Sequence, residues 1–281
     1  MPWTTRPATA ADVAAIGRLY AAFDEVEFRE QTYDEDDVAT VLGQGFECWV
    51  AEDSELVGFA SVHREGDVET VTLPSYPVAL RTALLELVLA RARELGLTRV
   101  SHWAGDGMRL SGPFLADRGF VHRGTSWKLV RDLPAPVPSW PDGIVVRPWS
   151  EVDPRAIHQV VTDAFRGTSY GRGRTFEEWS QVHLAHLTDV VCAWRDDELV
   201  GVATRASLMG TPYLAQLGVL PSQRGTGLGR ALLLETFARD AADGATQSTL
   251  SVDGDNEAAR RIYDSVGMTV ATEMRRWDLD L

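Results

Sequence analysis

Leu217-Gly218-Val219-Leu220-Pro221-Ser222-Gln223-Arg224-Gly225-Thr226-Gly227-Leu228-Gly229-Arg230 is the stretch that decides how this chain folds. An apolar run ends at Val219 and Leu220, Pro221 cannot donate to a strand ladder, and a glycine-spaced segment runs directly into Ala231, Leu232, Leu233 and Leu234. That order predicts a strand, a tight loop and a helix start. Glycines allow successive backbone N–H groups to turn toward one point, and the helix dipole adds positive potential there. The segment therefore has the makings of an anion cradle, with a pyrophosphate as its natural guest. Arg224 and Arg230 flank the turn and can pair with phosphate oxygens. The spacing is not the dinucleotide pattern G-x-G-x-x-G, and no Lys-Ser/Thr pair follows the glycines as a P-loop requires.

Downstream, a helix over 231–242 and a strand over 247–252 lead to Asp255-Asn256-Glu257-Ala258-Ala259-Arg260-Arg261-Ile262-Tyr263-Asp264-Ser265-Val266-Gly267-Met268. Ala259, Ile262, Tyr263 and Val266 recur on one helical face, which turns the Tyr263 hydroxyl inward, and Gly267 suits the left-handed residue that ends a helix. Arg224-x-x-Gly227-x-Gly229 resembles the acyl-CoA loop of the GNAT family of N-acetyltransferases. The second segment resembles that family's closing helix, Asn-x-x-Ala-x-x-Leu/Ile-Tyr before Gly-Phe, with Met268 in place of the phenylalanine.

The resemblance implies an α/β (α+β) fold with a mixed, mostly antiparallel sheet flanked by helices, and acetyl-CoA as co-substrate with no metal. It implies that the backbone of Leu217, Gly218 and Val219 pairs with the pantetheine arm, that the loop from Arg224 through Gly225, Thr226, Gly227, Leu228 and Gly229 to Arg230 holds the pyrophosphate, and that Asn256 meets the arm. A neutral amine would attack the thioester directly, with Tyr263 protonating the departing thiolate; an unperturbed phenol, of pKa about 10, carries its proton at neutral pH. The alternative for Tyr263 is a core tyrosine with a satisfied hydroxyl. Many relatives carry a basic carboxylate on the strand before the loop, but Tyr213, Leu214, Ala215, Gln216 and Leu217 offer none. The general base stays open among a water chain, Glu177, Glu178, His183 and His186. Residues 166–174, with three arginines among glycines, fall where this family binds its acceptor, and are either an anion-holding loop or a solvated one.

Further outward, the chain repeats itself. Arg6-Pro7 and Arg147-Pro148 each precede a predicted helix, ending near Phe23 and Phe165. Asp53-Ser54-Glu55-Leu56-Val57-Gly58 matches Asp196-Asp197-Glu198-Leu199-Val200-Gly201 as a hairpin turn. Thr9 with Asp12, and Asp153 with Pro154, are helix-start signals. The prolines of 133–143 read as an extended connector. The expected organisation is an N-terminal domain over 1–133, a linker over 134–143 and a C-terminal domain over 144–281. Aligning Ala83 with Ala231 sets Tyr76, Ala79 and Arg81 against Arg224, Gly227 and Gly229, and sets Met108 and Leu115 against Asn256 and Tyr263. The first copy thus keeps the skeleton without the cradle or the acid, an asymmetry that resembles tandem acetyltransferases of the mycothiol synthase type.

Composition sets the outer limits. Two domains suit 281 residues, 44% of them hydrophobic. A net charge of −14 opposes nucleic-acid binding and suits an amine-bearing partner, although acidity also serves solubility. Cys48 and Cys192 read as reduced core thiols, not a disulfide or a metal site. No segment reads as membrane-spanning or as a signal peptide, and the single lysine, Lys128, beside many arginines points to a high-GC bacterial source. The expectation is a cytoplasmic enzyme, monomer or homodimer, acetylating a small-molecule amine, with no nucleic acid or membrane partner. Its alternatives are a non-catalytic acyl-CoA sensor or a structural protein.

Overall fold

The computed structural model describes residues 3–27, 35–43, 46–105, 111–167, 174–208 and 210–281. In chain order the elements are β1 (Thr4–Pro7), α1 (Val13–Glu27), α2 (Glu35–Gly43), β2 (Phe46–Asp53), β3 (Glu55–His63), β4 (Val68–Thr72), α3 (Val78–Glu94), β5 (Arg99–Gly105), α4 (Ser111–Ala116) and β6 (Val121–Asp132). The same order recurs as β7 (Ile144–Arg147), α5 (Pro154–Ala164), α6 (Phe176–Val182), β8 (Leu187–Arg195), β9 (Glu198–Leu208), β10 (Thr211–Val219), α7 (Leu228–Ala242), β11 (Gln247–Asp253), α8 (Glu257–Ser265) and β12 (Thr269–Asp280). The repeat is present element for element. β5 and β11 are both seven residues long and β6 and β12 both twelve, whereas β4 has five residues where β10 has nine.

Local chemistry sets the boundaries. Asp153 accepts a hydrogen bond from the Arg155 amide at 2.9 Å, with Pro154 in the first turn of α5. The Asp12 carboxylate accepts the Thr9 amide at 2.8 Å and opens a short turn before α1. The hairpins turn at Ser54 and Asp196, both left-handed, with φ of 58° and 54°. α1 runs to Glu27, past the expected end near Phe23, because Asp24 and Glu27 are themselves buried and continue its inward face. α7 starts at Leu228, three residues earlier than the apolar run suggests, because Gly227 at φ 91° is its N-cap.

By packing, the chain groups into two units. The first comprises Met1–Ser126, Asp253–Asp255 and Thr272–Leu281, and the second Trp127–Val252 and Asn256–Ala271. In the first unit β1-β2-β3-β4 form an antiparallel sheet, and α3 buries Leu80, Leu84 and Val88 against Val57, Ala60 and Val62 of β3. There the last strand of the chain, β12, pairs antiparallel with β5 from Met274/Gly105 to Asp280/Arg99, and Trp277 joins the core of α3 and β3. In the second unit the strand order is β6-β11-β10-β9-β8-β7, with α7 packed through Leu228, Leu232 and Phe237 on one core and α5 through Ile157, Val160 and Val161 on another. The connector over 134–143 marks where the repeat restarts along the chain. The ends of β6 and β12 pack with the unit opposite to their place in that order. Cys48 and Cys192 are free thiols; Cys192 is fully buried, and burial pushes it up to about 12. Among the described residues no helix is long and apolar enough to cross a membrane.

Because Trp277 fills the core of the first unit from the far end of the sequence, Trp277→Ala should cost about 3–5 kcal/mol, the usual loss for emptying an aromatic core site. Hydrogen exchange should show protection lost in residues 99–105 while 190–193 keep theirs. Equal loss in both segments would mean that β12 does not belong to the first unit's core.

Candidate active site

β10 is paired along its whole length on one side and hardly at all on the other. Antiparallel partners in β9 run from Thr211/Leu208 to Val219/Gly201, with a bulge at Ala215. Toward β11 the parallel pairing is confined to Tyr213/Thr249 and Leu214/Leu250, after which the strands part. The edge at Leu217, Gly218 and Val219 thus carries backbone donors and acceptors with no strand on that side. Gly218 lets α5 lie close, since a Cβ there would stand 3.4 Å from the Ala164 Cβ.

The glycine loop closes the open end of this cleft. Gly225 and Gly227 have φ of 77° and 91°, and a Cβ on either would meet nothing within 4 Å, so backbone conformation and not crowding demands glycine. Gly227 caps α7 without a side-chain hydrogen bond, and no acidic residue lies in that helix's first turn. The first amides of α7 are therefore left for another acceptor. Gly229 is different: a Cβ there would stand 3.5 Å from Ile262 of α8 and 3.6 Å from Val219. The Thr226 hydroxyl donates to the Gln223 carbonyl at 2.8 Å and stiffens the turn. Arg230 is exposed. Arg224 is exposed too, but donates to the Ala164 carbonyl at 2.8 Å, so this arginine already ties the loop to the C-terminal end of α5.

α8 stands beside the cleft. Asn256 caps it, its Oδ1 accepting from the Ala259 amide at 3.1 Å, which uses the oxygen and leaves the amide NH2. Tyr263 is buried among Leu129, Val266 and Met268. Burial, reinforced by the neighbouring Tyr213 phenol, pushes its hydroxyl up to about 12. Tyr213, whose own hydroxyl burial also raises, is hydrogen-bonded to the side chain and backbone of Ser251 on β11. Glycine loop, strand edge, Asn256 and Tyr263 thus gather in the second unit.

The candidate bases are less well gathered. Glu178 accepts the Thr175 amide in the capping box of α6 at 2.8 Å, and Glu177 pairs with Arg155 at 3.3 Å on the surface. Burial, with Arg174 nearby, lowers His183 to about 4, and its ring meets the Arg174 guanidinium at 3.3 Å. His186 lies in the short turn after α6. Residues 168–173 of the acceptor loop lie outside the described residues, as does Met108. Two contacts escape sequence reasoning altogether. Trp179 of α6, 2% exposed, donates its indole N–H to Gln216 Oε1 at 3.0 Å, and Tyr213 approaches Tyr263; neither pair shares a motif or a period.

The equivalent region of the first unit is filled by its own side chains. Among the described residues β4 and β5 form no ladder; beside them there is one isolated parallel bridge, Asp67/Ser101. Across that gap His102 Nε2 accepts from the Thr70 amide at 3.2 Å, while its Nδ1 lies 2.8 Å from the Trp103 carbonyl. Burial, and then Arg81, lowers this imidazole to about 3, so it is neutral and able to accept. Arg81, 4% exposed, donates to Ser111 Oγ at 2.7 Å and lies over Phe114 and Phe23. Leu115, aligned with Tyr263, is a fully buried core leucine.

A family model described as "Acetyltransferase (GNAT) family" matches residues 155–268. A mycothiol acetyltransferase of Kytococcus sedentarius is 31% identical over 228 residues, covering 75% of this chain and 74% of that one. One from Thermobispora bispora is 28% identical over 242 residues, covering 81% and 79%. Among solved structures, a GCN5-related N-acetyltransferase from Sphaerobacter thermophilus superposes with a TM-score of 0.83 at 25% identity, covering 99% of this chain and 96% of that one. A tandem GNAT protein from the clavulanic acid biosynthesis pathway superposes at 0.80 with 16% identity over 99% and 98%, a likeness of fold.

The bond from Trp179 to Gln216 predicts that Trp179→Phe, which keeps most of the aromatic volume, lowers stability by about 1–3 kcal/mol through the stranded Gln216 carbonyl. Urea unfolding at constant m-value checks it, and an unshifted midpoint would show the bond to be dispensable.

Proposed function

The chain belongs to the GNAT family of acetyltransferases, and from that premise we propose that its second unit transfers the acetyl group of acetyl-CoA to the primary amine of a small molecule. The observation that carries this reading is the one-sided pairing of β10, whose free edge at residues 217–219 leads through the glycine loop to the start of α7, which has no side-chain cap and no acid in its first turn. A long ligand that is amide-rich at one end and doubly phosphorylated at the other fits that sequence of groups: its amides would continue the β10 ladder, and its pyrophosphate would take the amides of 225–230. Acetyl-CoA supplies the acyl group as a thioester. Relatives named mycothiol acetyltransferase acetylate a small-molecule amine, so the desacetyl form of mycothiol is the first acceptor to test.

The protein's own groups divide the work. The edge of 217–219 orients the arm, and the loop anchors its far end, which converts a bimolecular encounter into a positioned one. Asn256 keeps an amide NH2 for the arm while its oxygen caps α8. Tyr263 holds its proton at neutral pH, since burial has pushed it up to about 12. It donates a hydrogen bond to the sulfur as the amine nitrogen forms its bond to the acetyl carbon and the carbon–sulfur bond breaks, and the proton follows onto the leaving thiolate. Glu177, Glu178 and His183 are engaged with other partners, which favours a water relay for the proton lost by the amine.

Calorimetry should find one CoA site per chain, because the first unit's gap is closed by His102 and Arg81. Gly227→Asp should abolish that site by imposing strain at a positive φ and placing a carboxylate where the phosphates bind. Two equivalent sites, or unchanged affinity in a folded Gly227→Asp protein, would remove the cofactor from this loop.

Tyr263→Phe keeps the ring and deletes the hydroxyl. CoA affinity and melting temperature should stay near wild type while kcat for thiol release with the amine falls about 10²-fold or more. A fully active variant would reduce Tyr263 to a core residue.

A further inference from the structure

We propose that Trp127 and Arg131 of β6, the closing strand of the first copy, are positioning residues for acetyl transfer, holding α8 so that Tyr263 meets the thioester sulfur. The inference rests on Tyr263 being the acid.

α8 has nine residues, about two and a half turns, and a helix so short has little rigidity of its own. Its orientation must come from what it lies on. Trp127, Leu129 and Arg131 alternate along β6 and so project from one face of the strand. Each meets a different part of α8. The Arg260 guanidinium lies over the Trp127 ring at 3.9 Å from its centroid. Leu129, 3% exposed, packs in the same core as Tyr263, Val266 and Met268. Arg131 Nη1 donates to the Val266 carbonyl at 2.7 Å, at the C-terminal end of the helix where carbonyls lack internal partners and a cation is favoured.

Gly267 records how close that last contact is. Its φ of 76° already favours glycine, and a Cβ there would stand 2.2 Å from Arg131 Nη1, inside the space the guanidinium occupies. The glycine that ends α8 thus also admits the arginine that holds it. With Trp127 against the middle of the helix and Arg131 at its end, rotation of α8 and sliding along its axis are both opposed. Those are the two movements that would carry the Tyr263 hydroxyl away from the sulfur, and a displacement of about 1 Å is enough to cost two orders of magnitude in rate. The first copy, without a cofactor cradle, thereby takes part in the reaction through one strand.

The test is a cycle built on Arg131→Met, which keeps the stem and removes the donors, with Arg131→Lys as the conservative variant, each made alone and with Tyr263→Phe. Melting temperature and CoA affinity are measured on every preparation. Arg131→Met should lower kcat about 10-fold with KM for acetyl-CoA within about 2-fold, and Arg131→Lys should recover most of the loss. In the Tyr263→Phe background the same change should cost less than about 2-fold, since there is no hydroxyl left to position. Unchanged turnover in Arg131→Met, or an equal loss in both backgrounds, would overturn the inference. Full turnover in Tyr263→Phe alone would instead strike the acid assignment, and the inference with it.

Discussion

The structure of the second unit depends on one unfinished hydrogen-bond ladder. A strand inside a domain ordinarily satisfies both edges, because buried backbone groups without partners are costly. β10 satisfies one edge throughout and the other for only two residue pairs. The parting has identifiable causes. Ala215 is bulged out of register, Gln216 is held by the Trp179 indole on α6, and Tyr213 bonds across to Ser251 at the last point of contact. Beyond that point β10 and β11 no longer pair, and the glycine loop and the start of α7 follow the free end of β10. A ligand that completes the ladder gains partners already held in place, so ordering costs little on binding.

In the first unit the corresponding wedge is filled from within. β4 stops after five residues, and Pro74 and Pro77 follow where the second copy has its strand end and loop. The buried Thr70 amide is taken by His102, and Arg81 reaches Thr70 and Ser111 from α3. These contacts close the gap with the unit's own side chains. They carry an electrostatic cost: burial, opposed only in part by the Tyr20 hydroxyl, pushes the nearby Glu69 carboxyl up to about 7, and burial holds Arg81 down at about 10. The skeleton was kept, and its chemistry was turned inward.

What could be read from the sequence was local. The glycine loop, the inward face of α8 and the left-handed Gly267 all depend on residues within a few positions of one another, and the hairpins at Ser54 and Asp196 likewise. The repeat was legible because apolar periods recur in the same order. What escaped joins distant positions through single side chains: Arg224 on the Ala164 carbonyl, Trp179 on Gln216, Arg131 on Val266. No periodicity marks such pairs, and an arginine beside a phosphate loop reads as a phosphate ligand until its other partner is seen. The exchange of β6 and β12 was hidden for a related reason, since two strands of equal length and similar pattern fit either unit.

Charge placement supplies the last step. In a chain of 41 acidic and 27 basic residues, most surfaces repel an anion. Three helix starts add to this, for α2 opens with Glu35, Asp36 and Asp37, α6 with Glu177 and Glu178, and α8 with Glu257. Acids there are the ordinary way to complement a helix dipole. α7 opens with none, and gathers its acids at the far end instead, where Asp240 and Asp243 pair with Arg205 at 2.8 and 2.6 Å. Arg205 also meets Asp189 at 2.8 Å, so the C-terminal end of the helix is bolted to β8 and β9. The helix is thereby fixed at its C-terminal end, while its start carries neither an acid nor a side-chain cap. What sets α7 apart is not the lack of acids alone, which α1, α3, α4 and α5 share, but that its acid-free, glycine-led start stands beside the free edge of β10, where an anion would meet no carboxylate of the helix itself.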